Sequence, residues 1–214
     1  MDGIEFPLRT DHPPHTGRKM KIGCLVGRIL IKTTLAPLIF VLCFHISPPR
    51  SETPVRQQTI QEIAAFLEKQ GTDLAQVTPH ALAEVIYDEA VRYDYDPKVI
   101  LALIGIESSF RNSSVSARGA KGLMQIMPYV AEAVAQELKI EWKGDQTLFD
   151  PFLNIRMGIY YLKMLMDDFQ DLVLALTAYN YGPTYIRSFL DRGQKIPLYH
   201  FRYYQRVFAF YRNI

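Results

Sequence analysis

The first residue whose type and position suggest chemistry is a glutamate that closes an apolar segment. Glu107 follows the run LALIGI, and the chain from Val99 to Ile106 is apolar on all sides, which is typical of a helix buried in the centre of a domain. The dipole at the C-terminal end of a helix disfavours negative charge, and desolvation would disfavour it further. A carboxyl that holds its proton near neutral pH suits general-acid cleavage of a glycosidic bond. On spacing alone this is a weak signal, because most glutamates that follow an apolar helix are solvent-facing helix ends.

A glycine-bearing loop follows, and its residue types suit an amide-bearing sugar. Gly119 and Gly122 permit tight turns that could bring backbone N–H and C=O groups against a ligand. Gln125 can both donate and accept a hydrogen bond, and Met127 offers an adaptable apolar wall. We therefore treat Gln125 and Met127 as candidate binding residues.

A third candidate segment ends another apolar run, LVLALTA. Tyr179 and Asn180 are separated by one residue from Gly182 and Pro183, a pair that predicts a turn. Taken from the sequence alone, Asn180 is explained by a helix cap before this turn.

In order and separation, these motifs resemble the lytic transglycosylases of the soluble, goose-lysozyme-like superfamily. The resemblance extends from about Thr78 to Tyr211. It is carried by the segments ESSF at 107–110, GAKGLMQIMP at 119–128, LFDP at 148–151 and AYNYGP at 178–183, together with Asn154, Gly158 and Tyr161-Leu162.

The resemblance implies a mainly helical, lysozyme-like fold and an activity on peptidoglycan. Glu107 would be the single acid/base that cleaves the bond between N-acetylmuramic acid and N-acetylglucosamine without water and leaves a 1,6-anhydro ring. The hydroxyl of Tyr179 would reach toward that carboxyl. Substrate-binding roles would fall to Ser116, Gln125, Met127, Asn180 and Tyr203.

Three positions depart from the family pattern. Tyr181 stands where a small residue is usual after Ala-Tyr-Asn, and Tyr199 and His200 stand where a Glu-Thr pair is common. A large aromatic at 181 could narrow the cleft, stack on a sugar ring or point into solvent.

Two other functions remain open at the level of sequence. A goose-type lysozyme would cut the same bond with water, and a second carboxylate that positions the water would favour it. Between residues 105 and 130 Glu107 is the only acid, but Asp88, Glu89 or Asp150 could approach it in the fold. A non-catalytic module that binds glycan and acts as a scaffold is the other possibility, and it would not need the acid.

The elements that must position these residues are predicted to be helices throughout. Thr78-Pro79 and Asp96-Pro97 each combine a capping residue with proline at the first helical position. A short amphipathic helix is expected at 59–69, and further helical patterns run over 127–140, 151–169, 171–180, 183–191 and 198–212. We find no alternating strand pattern, and we predict an all-α domain.

The N-terminal segment has a different character from the rest of the chain. Leu35 to Ile46 is free of charge and follows several basic residues, which is the order of a secretory signal. We predict a signal peptide or membrane anchor at 1–47, a linker with the short helix at 48–77, and a catalytic domain at 78–214. The protein would then be exported to the periplasm or cell envelope, with possible membrane attachment.

Composition and charge exclude several classes. Residues 48–214 carry 18 Lys or Arg against 19 Asp or Glu, which makes that part a poor candidate for nucleic-acid binding. The two cysteines, Cys24 and Cys43, exclude a cysteine-rich zinc module. His80 and His200 have no partners at ligand spacing, so we predict no metal and no other cofactor.

Overall fold

A computed structural model describes residues 53–71, 73 and 77–214. Within them the chain is helical and has no β-strand, so the predicted all-α class is confirmed. The expectations for residues 1–47 lie outside the described residues. The elements are α1 (Pro54–Lys69), α2 (Pro79–Arg92), α3 (Pro97–Ser108), α4 (Pro128–Leu138), a 3₁₀ turn (Gln146–Phe149), α5 (Pro151–Phe169), α6 (Leu172–Tyr181), α7 (Pro183–Asp191), a second 3₁₀ turn (Leu198–Phe201) and α8 (Arg202–Tyr211).

The starts of α2 and α3 follow the predicted capping signals. The Thr78 hydroxyl accepts a hydrogen bond from the backbone N–H of Ala81 at 3.1 Å. The Asp96 carboxylate accepts one from the N–H of Lys98 at 2.8 Å. Each cap of this kind is worth about 0.5–2 kcal/mol, and proline occupies the next position without losing a hydrogen bond.

Helix α1 begins earlier than the sequence pattern predicts. We expected a linker up to residue 58, whereas the helix starts at Pro54, capped by Thr53. The first turns of α1 are polar, and a proline among polar residues is as typical of a linker as of a helix start. Because Ile60, Ile63 and Leu67 are buried in the same core as α2, α1 is packed with the helices that follow it.

Helix α3 lies in the centre of the core. Every side chain from Val99 to Ile104 is at most 4% exposed. A Cβ on Gly105 would lie 2.7 Å from the ring of Phe210, so α8 can approach α3 this closely only because residue 105 has no side chain. Hydrogen bonds from α8 reach both ends of α3, which makes the two helices antiparallel and sets the start of α8 beside Glu107.

In the part of the chain that the structure describes, no helix is both long enough and apolar enough to span a membrane.

Candidate active site

A cleft of about 470 Å³ opens at the C-terminal end of α3. Its walls come from the loop before α4 and from the junction of α6 with α7, where Gly182 ends one helix and precedes the next. Six of the seven predicted site residues line it: Glu107, Ser116, Gln125, Met127, Tyr179 and Asn180. The seventh, Tyr203, contacts the carboxyl of Glu107.

The carboxyl of Glu107 has an unusual proton affinity. Burial at the end of α3 raises its pKa from 4.5 to about 7, although the Tyr203 hydrogen bond and the positive charge of Arg206 act in the opposite direction. Since a group with this pKa exchanges its proton readily near neutral pH, Glu107 can serve both as an acid and as a base.

Tyr203, at the start of α8, donates its hydroxyl proton to Oε1 of Glu107. The side chain is 5% exposed, and burial together with the nearby Glu107 carboxyl raises the pKa of the Tyr203 hydroxyl well above its ordinary value. Tyr203 therefore remains a donor at neutral pH. The sequence indicated Tyr203 only as a substrate-binding candidate and gave no sign that it contacts the acid.

Tyr179 reaches the cleft from α6 and lines it together with Glu107, and the Tyr179 hydroxyl makes its hydrogen bond to the loop before α4. It donates to the backbone carbonyl of Met124 at 2.8 Å. Its ring packs against Tyr161, with 5.3 Å between ring centroids. Burial first, and then the charge of Glu107, raises the pKa of the Tyr179 hydroxyl well above its usual range. Tyr179 thus lies within electrostatic reach of Glu107 while its hydrogen bond holds the loop.

The turn that follows Glu107 is strained. Ser109 and Phe110 have φ angles of 52° and 61°, a left-handed conformation that costs non-glycine residues about 1–3 kcal/mol each. The Phe110 ring is 2% exposed and packs against Phe66 and Phe210 at centroid distances of 5.7 and 6.1 Å. This aromatic packing holds the turn, and with it the end of the helix that carries the acid. Nothing in the sequence pattern predicted this.

Two predicted binding residues also hold the loop wall together. The Ser116 hydroxyl oxygen accepts a hydrogen bond from the N–H of Ala120 at 3.0 Å. The Gln125 side-chain amide donates to the carbonyls of Ser114 and Gly122 at 3.0 and 2.9 Å. Because these bonds use Ser116 as an acceptor and Gln125 as a donor, the Ser116 O–H and the Gln125 carbonyl oxygen can still bind a ligand.

A buried asparagine fixes this loop from below. Asn154 of α5 is fully buried, accepts from the N–H of Met124 at 2.8 Å and donates to the carbonyls of Lys121 and Leu148 at 3.1 and 2.9 Å. A Cβ on Gly122 would collide with the Asn154 amide and the Leu148 carbonyl. The absence of a side chain at Gly122 is therefore required by this packing.

The carboxylates that could have joined Glu107 have other partners. Asp88 forms an ion pair with Arg56 at 3.1 Å, Glu89 pairs with two arginines, and Asp150 caps α5. Among the described residues that line the cleft, Glu107 is the only acid. The described residues also contain no group of three or more His, Cys, Asp or Glu that could hold a metal ion.

Comparison with known proteins points to one family. The family model described as "Transglycosylase SLT domain" matches residues 84–196. The chain is 31% identical over 150 residues to the "Membrane-bound lytic murein transglycosylase C" of Edwardsiella ictaluri, covering 64% of this chain and 40% of that protein. It is 33% identical over 136 residues to the protein of the same name from Photorhabdus laumondii, covering 58% of this chain and 35% of the relative. The chain thus spans less than half the length of the curated relatives that it matches.

Solved structures agree on the fold. An inactive variant of the lytic transglycosylase Slt from Pseudomonas aeruginosa matches with a TM-score of 0.54 and 29% identity, over 59% of this chain and 22% of that one. The 70 kDa soluble lytic transglycosylase of Escherichia coli matches with a TM-score of 0.54 and 23% identity, over 77% of this chain and 31% of the other.

Proposed function

The chain belongs to the transglycosylase SLT domain family, and from that premise we propose that it is a lytic murein transglycosylase acting on the glycan strands of peptidoglycan. The observation that carries the proposal is the state of Glu107. It is the only acid among the described residues lining the cleft, and burial raises its pKa to about 7. A glycosidase with two carboxylates would need a second acid across the bond.

In the first step, Glu107 acts as a general acid. Its proton passes to the bridging oxygen between N-acetylmuramic acid and N-acetylglucosamine, and the bond from that oxygen to the anomeric carbon breaks. The N-acetyl group of the N-acetylmuramic acid stabilises the positive charge that develops at the anomeric carbon of that sugar. The raised pKa supports this role because a proton must be present at neutral pH and must also be transferable.

In the second step, the Glu107 carboxylate acts as a base. It removes the proton of the C6 hydroxyl, the C6 oxygen bonds to the anomeric carbon, and a 1,6-anhydro ring closes. Glu107 regains its proton, and no water is consumed. Tyr203, which donates to Oε1, would stabilise the carboxylate between the two steps.

The remaining site residues would bind the substrate or hold the shape of the cleft. Ser116, Gln125, Met127 and Asn180 line the cleft, and we assign them to the substrate. Tyr179 would position the loop wall through the Met124 carbonyl and present its ring to the sugar next to Glu107. No step in this scheme calls for a cofactor.

A location in the cell envelope follows from the substrate. Peptidoglycan lies outside the cytoplasmic membrane, and the relatives from Edwardsiella and Photorhabdus are named membrane-bound. We therefore propose that the protein is exported. Residues 1–47 would supply the signal or the anchor.

The test is mass spectrometry of the fragments that the full-length protein releases from purified peptidoglycan, with Glu107→Gln as the control. We expect fragments that end in anhydro-muramic acid, each lighter by one water than the hydrolysis product, and none from the variant. The glutamine keeps the shape of the side chain and removes its acid.

Two other outcomes would overturn the proposal. Fragments with reducing ends would make the protein a lysozyme-type hydrolase. Glycan binding without Glu107-dependent fragments would make it a binding module.

A further inference from the structure

A cluster of aromatic side chains leads from the cleft to the protein surface. Tyr181 lines the cleft beside Asn180 and Gly182, and its ring meets the His200 ring edge-on with 4.7 Å between centroids. His200 contacts Tyr199 at 4.1 Å and Tyr185 at 5.5 Å. We call these four side chains, Tyr181, Tyr185, Tyr199 and His200, the aromatic shelf.

His200 holds the shelf in one arrangement. It is 2% exposed, with Nδ1 at 3.2 Å from the Pro197 carbonyl oxygen and Nε2 at 3.2 Å from the Tyr185 hydroxyl. Phe189 of α7 packs against both Tyr185 and His200, with centroid distances of 5.3 and 5.7 Å. A ring fixed by two polar contacts and by packing keeps its neighbours in place before any ligand arrives.

The outer part of the shelf is open to solvent. Tyr185 is 44% and Tyr199 is 54% exposed, and the neighbouring Leu198 is 83% exposed. Grouped exposed apolar side chains are uncommon on a protein surface unless they bind something. Because Tyr181 belongs both to the cleft wall and to the shelf, the two surfaces are continuous.

The positions that depart from the family pattern come together here. Tyr181 at the end of α6 and the adjacent pair Tyr199 and His200 in the second 3₁₀ turn belong to the same cluster of ring contacts.

We propose that the aromatic shelf is an additional sugar subsite, which binds a residue of the glycan strand beyond the pair that reacts at Glu107; this inference rests on the proposed function. A pyranose presents C–H groups on its faces and hydroxyls at its rim. Tyrosine offers a ring face with negative electrostatic potential and an O–H at its tip, so it can bind both. A strand that continues out of the cleft past Tyr181 meets Tyr185 and Tyr199.

The subsite makes cleavage depend on the length of the substrate. A strand long enough to reach the shelf binds through one more sugar than a short strand does. We expect full-length wild-type protein to have a higher kcat/KM for a peptidoglycan octasaccharide than for a tetrasaccharide. Tyr199→Ala and Tyr181→Ala lower the octasaccharide value by about 5–20-fold, which corresponds to the 1–2 kcal/mol typical of an aromatic contact. Tyr199→Ala, which lies outside the cleft lining, lowers the tetrasaccharide value much less. Tyr181→Phe, which keeps the ring, retains most of the preference.

Leu198→Ala is the matched control. It removes an exposed apolar side chain from the same 3₁₀ turn as Tyr199 but takes away no ring. If it lowers the preference as much as Tyr199→Ala does, the surface is a general apolar patch and the proposal is wrong. Equal losses on both substrates in Tyr199→Ala would also overturn it, since they indicate damage to the cleft.

A binding measurement separates this proposal from the proposed function. Calorimetric titration of the Glu107→Gln protein with chitin oligosaccharides of increasing length needs no cleavage. An affinity that increases with length and loses that increase in Glu107→Gln/Tyr199→Ala supports the subsite even if wild-type protein releases no fragments. Affinity that is independent of length, with a wild-type protein that does cleave, overturns the subsite and leaves the proposed function intact. If the Tyr199→Ala change weakens the binding of free stem peptides and leaves the binding of the oligosaccharides unchanged, the proposal is overturned as well.

Discussion

The two sides of the cleft are built by different kinds of interaction. The acid side consists of α3 and α8, which pack through apolar surfaces so closely that Gly105 cannot carry a side chain beside Phe210. The opposite side is the loop before α4, whose shape is determined by hydrogen bonds between backbone groups and the side chains of Asn154, Gln125 and Tyr179. The first side sets the proton affinity of Glu107, and the second sets the shape that a substrate meets.

This difference separates chemistry from shape in the same small site. Apolar packing removes water from Glu107 and so raises its pKa, but it offers few groups that could recognise a sugar. The loop has many polar groups, and most of its backbone is already bonded within the protein. Substitutions on the acid side should therefore change rate and pH dependence, while those on the loop side should change stability and binding.

Shortening the acid is expected to have the largest effect. Glu107→Asp keeps a carboxyl but withdraws it by one methylene from Tyr203 and from the bond to be cleaved. A displacement of about 1 Å costs on the order of 100-fold in rate, and loss of the Tyr203 contact adds to it, so we expect kcat to fall by about 10²–10³-fold. Fragment release from peptidoglycan measures it. A variant with close to wild-type kcat would show that the position set by α3 and α8 matters little.

Removing the support of the loop should affect folding first. Asn154→Ala leaves the N–H of Met124 and the carbonyl of Leu148 buried without their partner, whereas the Lys121 carbonyl still accepts from the N–H of Ile126 at 3.1 Å. We expect the free energy of unfolding to fall by about 2–4 kcal/mol, because each orphaned buried group costs about 1–3 kcal/mol. Urea denaturation gives the value. Gln170→Ala, which removes an exposed side-chain bond to the Asp167 carbonyl, is the control and should cost far less.

The contrast also explains what the sequence could predict. The starts of helices α2 and α3 could be predicted from Thr78-Pro79 and Asp96-Pro97, because helix capping depends on neighbouring residues. Glu107 became a candidate because an apolar run ended in a carboxyl, and the resemblance to a family then selected it as the acid. Such signals lie within a few residues of one another.

What the sequence could not predict depends on contacts between distant segments. Tyr203 lies 96 positions from Glu107, and nothing near it indicates which carboxyl it contacts. The left-handed turn at Ser109 and Phe110 uses residue types that seldom adopt it and exists because Phe66 and Phe210 pack against Phe110. The resemblance to a family indicated Tyr179, which lines the cleft in the structure. The hydrogen-bond partner of its hydroxyl is a backbone carbonyl that the sequence does not identify.

The buried acid should make stability depend on pH in a definite direction. Folding raises the pKa of Glu107 from 4.5 to about 7, so the folded state binds more protons and its stability decreases as pH rises through this window. Glu107→Gln does not titrate. The difference in free energy of unfolding between the variant and wild type should therefore shift in favour of the variant by about 1–3 kcal/mol from pH 4 to pH 8, with partial exposure of the side chain taken into account. Thermal or urea denaturation at the two pH values tests this, with Glu132→Gln on the exposed face of α4 as the control. If the variant instead becomes less stable relative to wild type between pH 4 and pH 8, the raised pKa assigned to Glu107 is wrong.

The smallest effect, and the sharpest test of the comparison, lies in the two tyrosines. Tyr203 donates to the acid and lowers its pKa, whereas Tyr179 donates to the Met124 carbonyl of the loop. In the proposed mechanism cleavage begins from protonated Glu107, so we expect activity to decline at alkaline pH as this carboxyl ionises. Tyr203→Phe should raise the pKa of Glu107 and move that decline to higher pH by up to about one unit, while kcat falls by about tenfold as a stabilising donor is lost. Tyr179→Phe should leave the decline where it is and lower kcat/KM through the loop.

The measurement is kcat against pH for both variants on the same oligosaccharide. If the Tyr179 variant shifts the profile and the Tyr203 variant does not, the acid is controlled from the loop side and the division between the two walls is wrong.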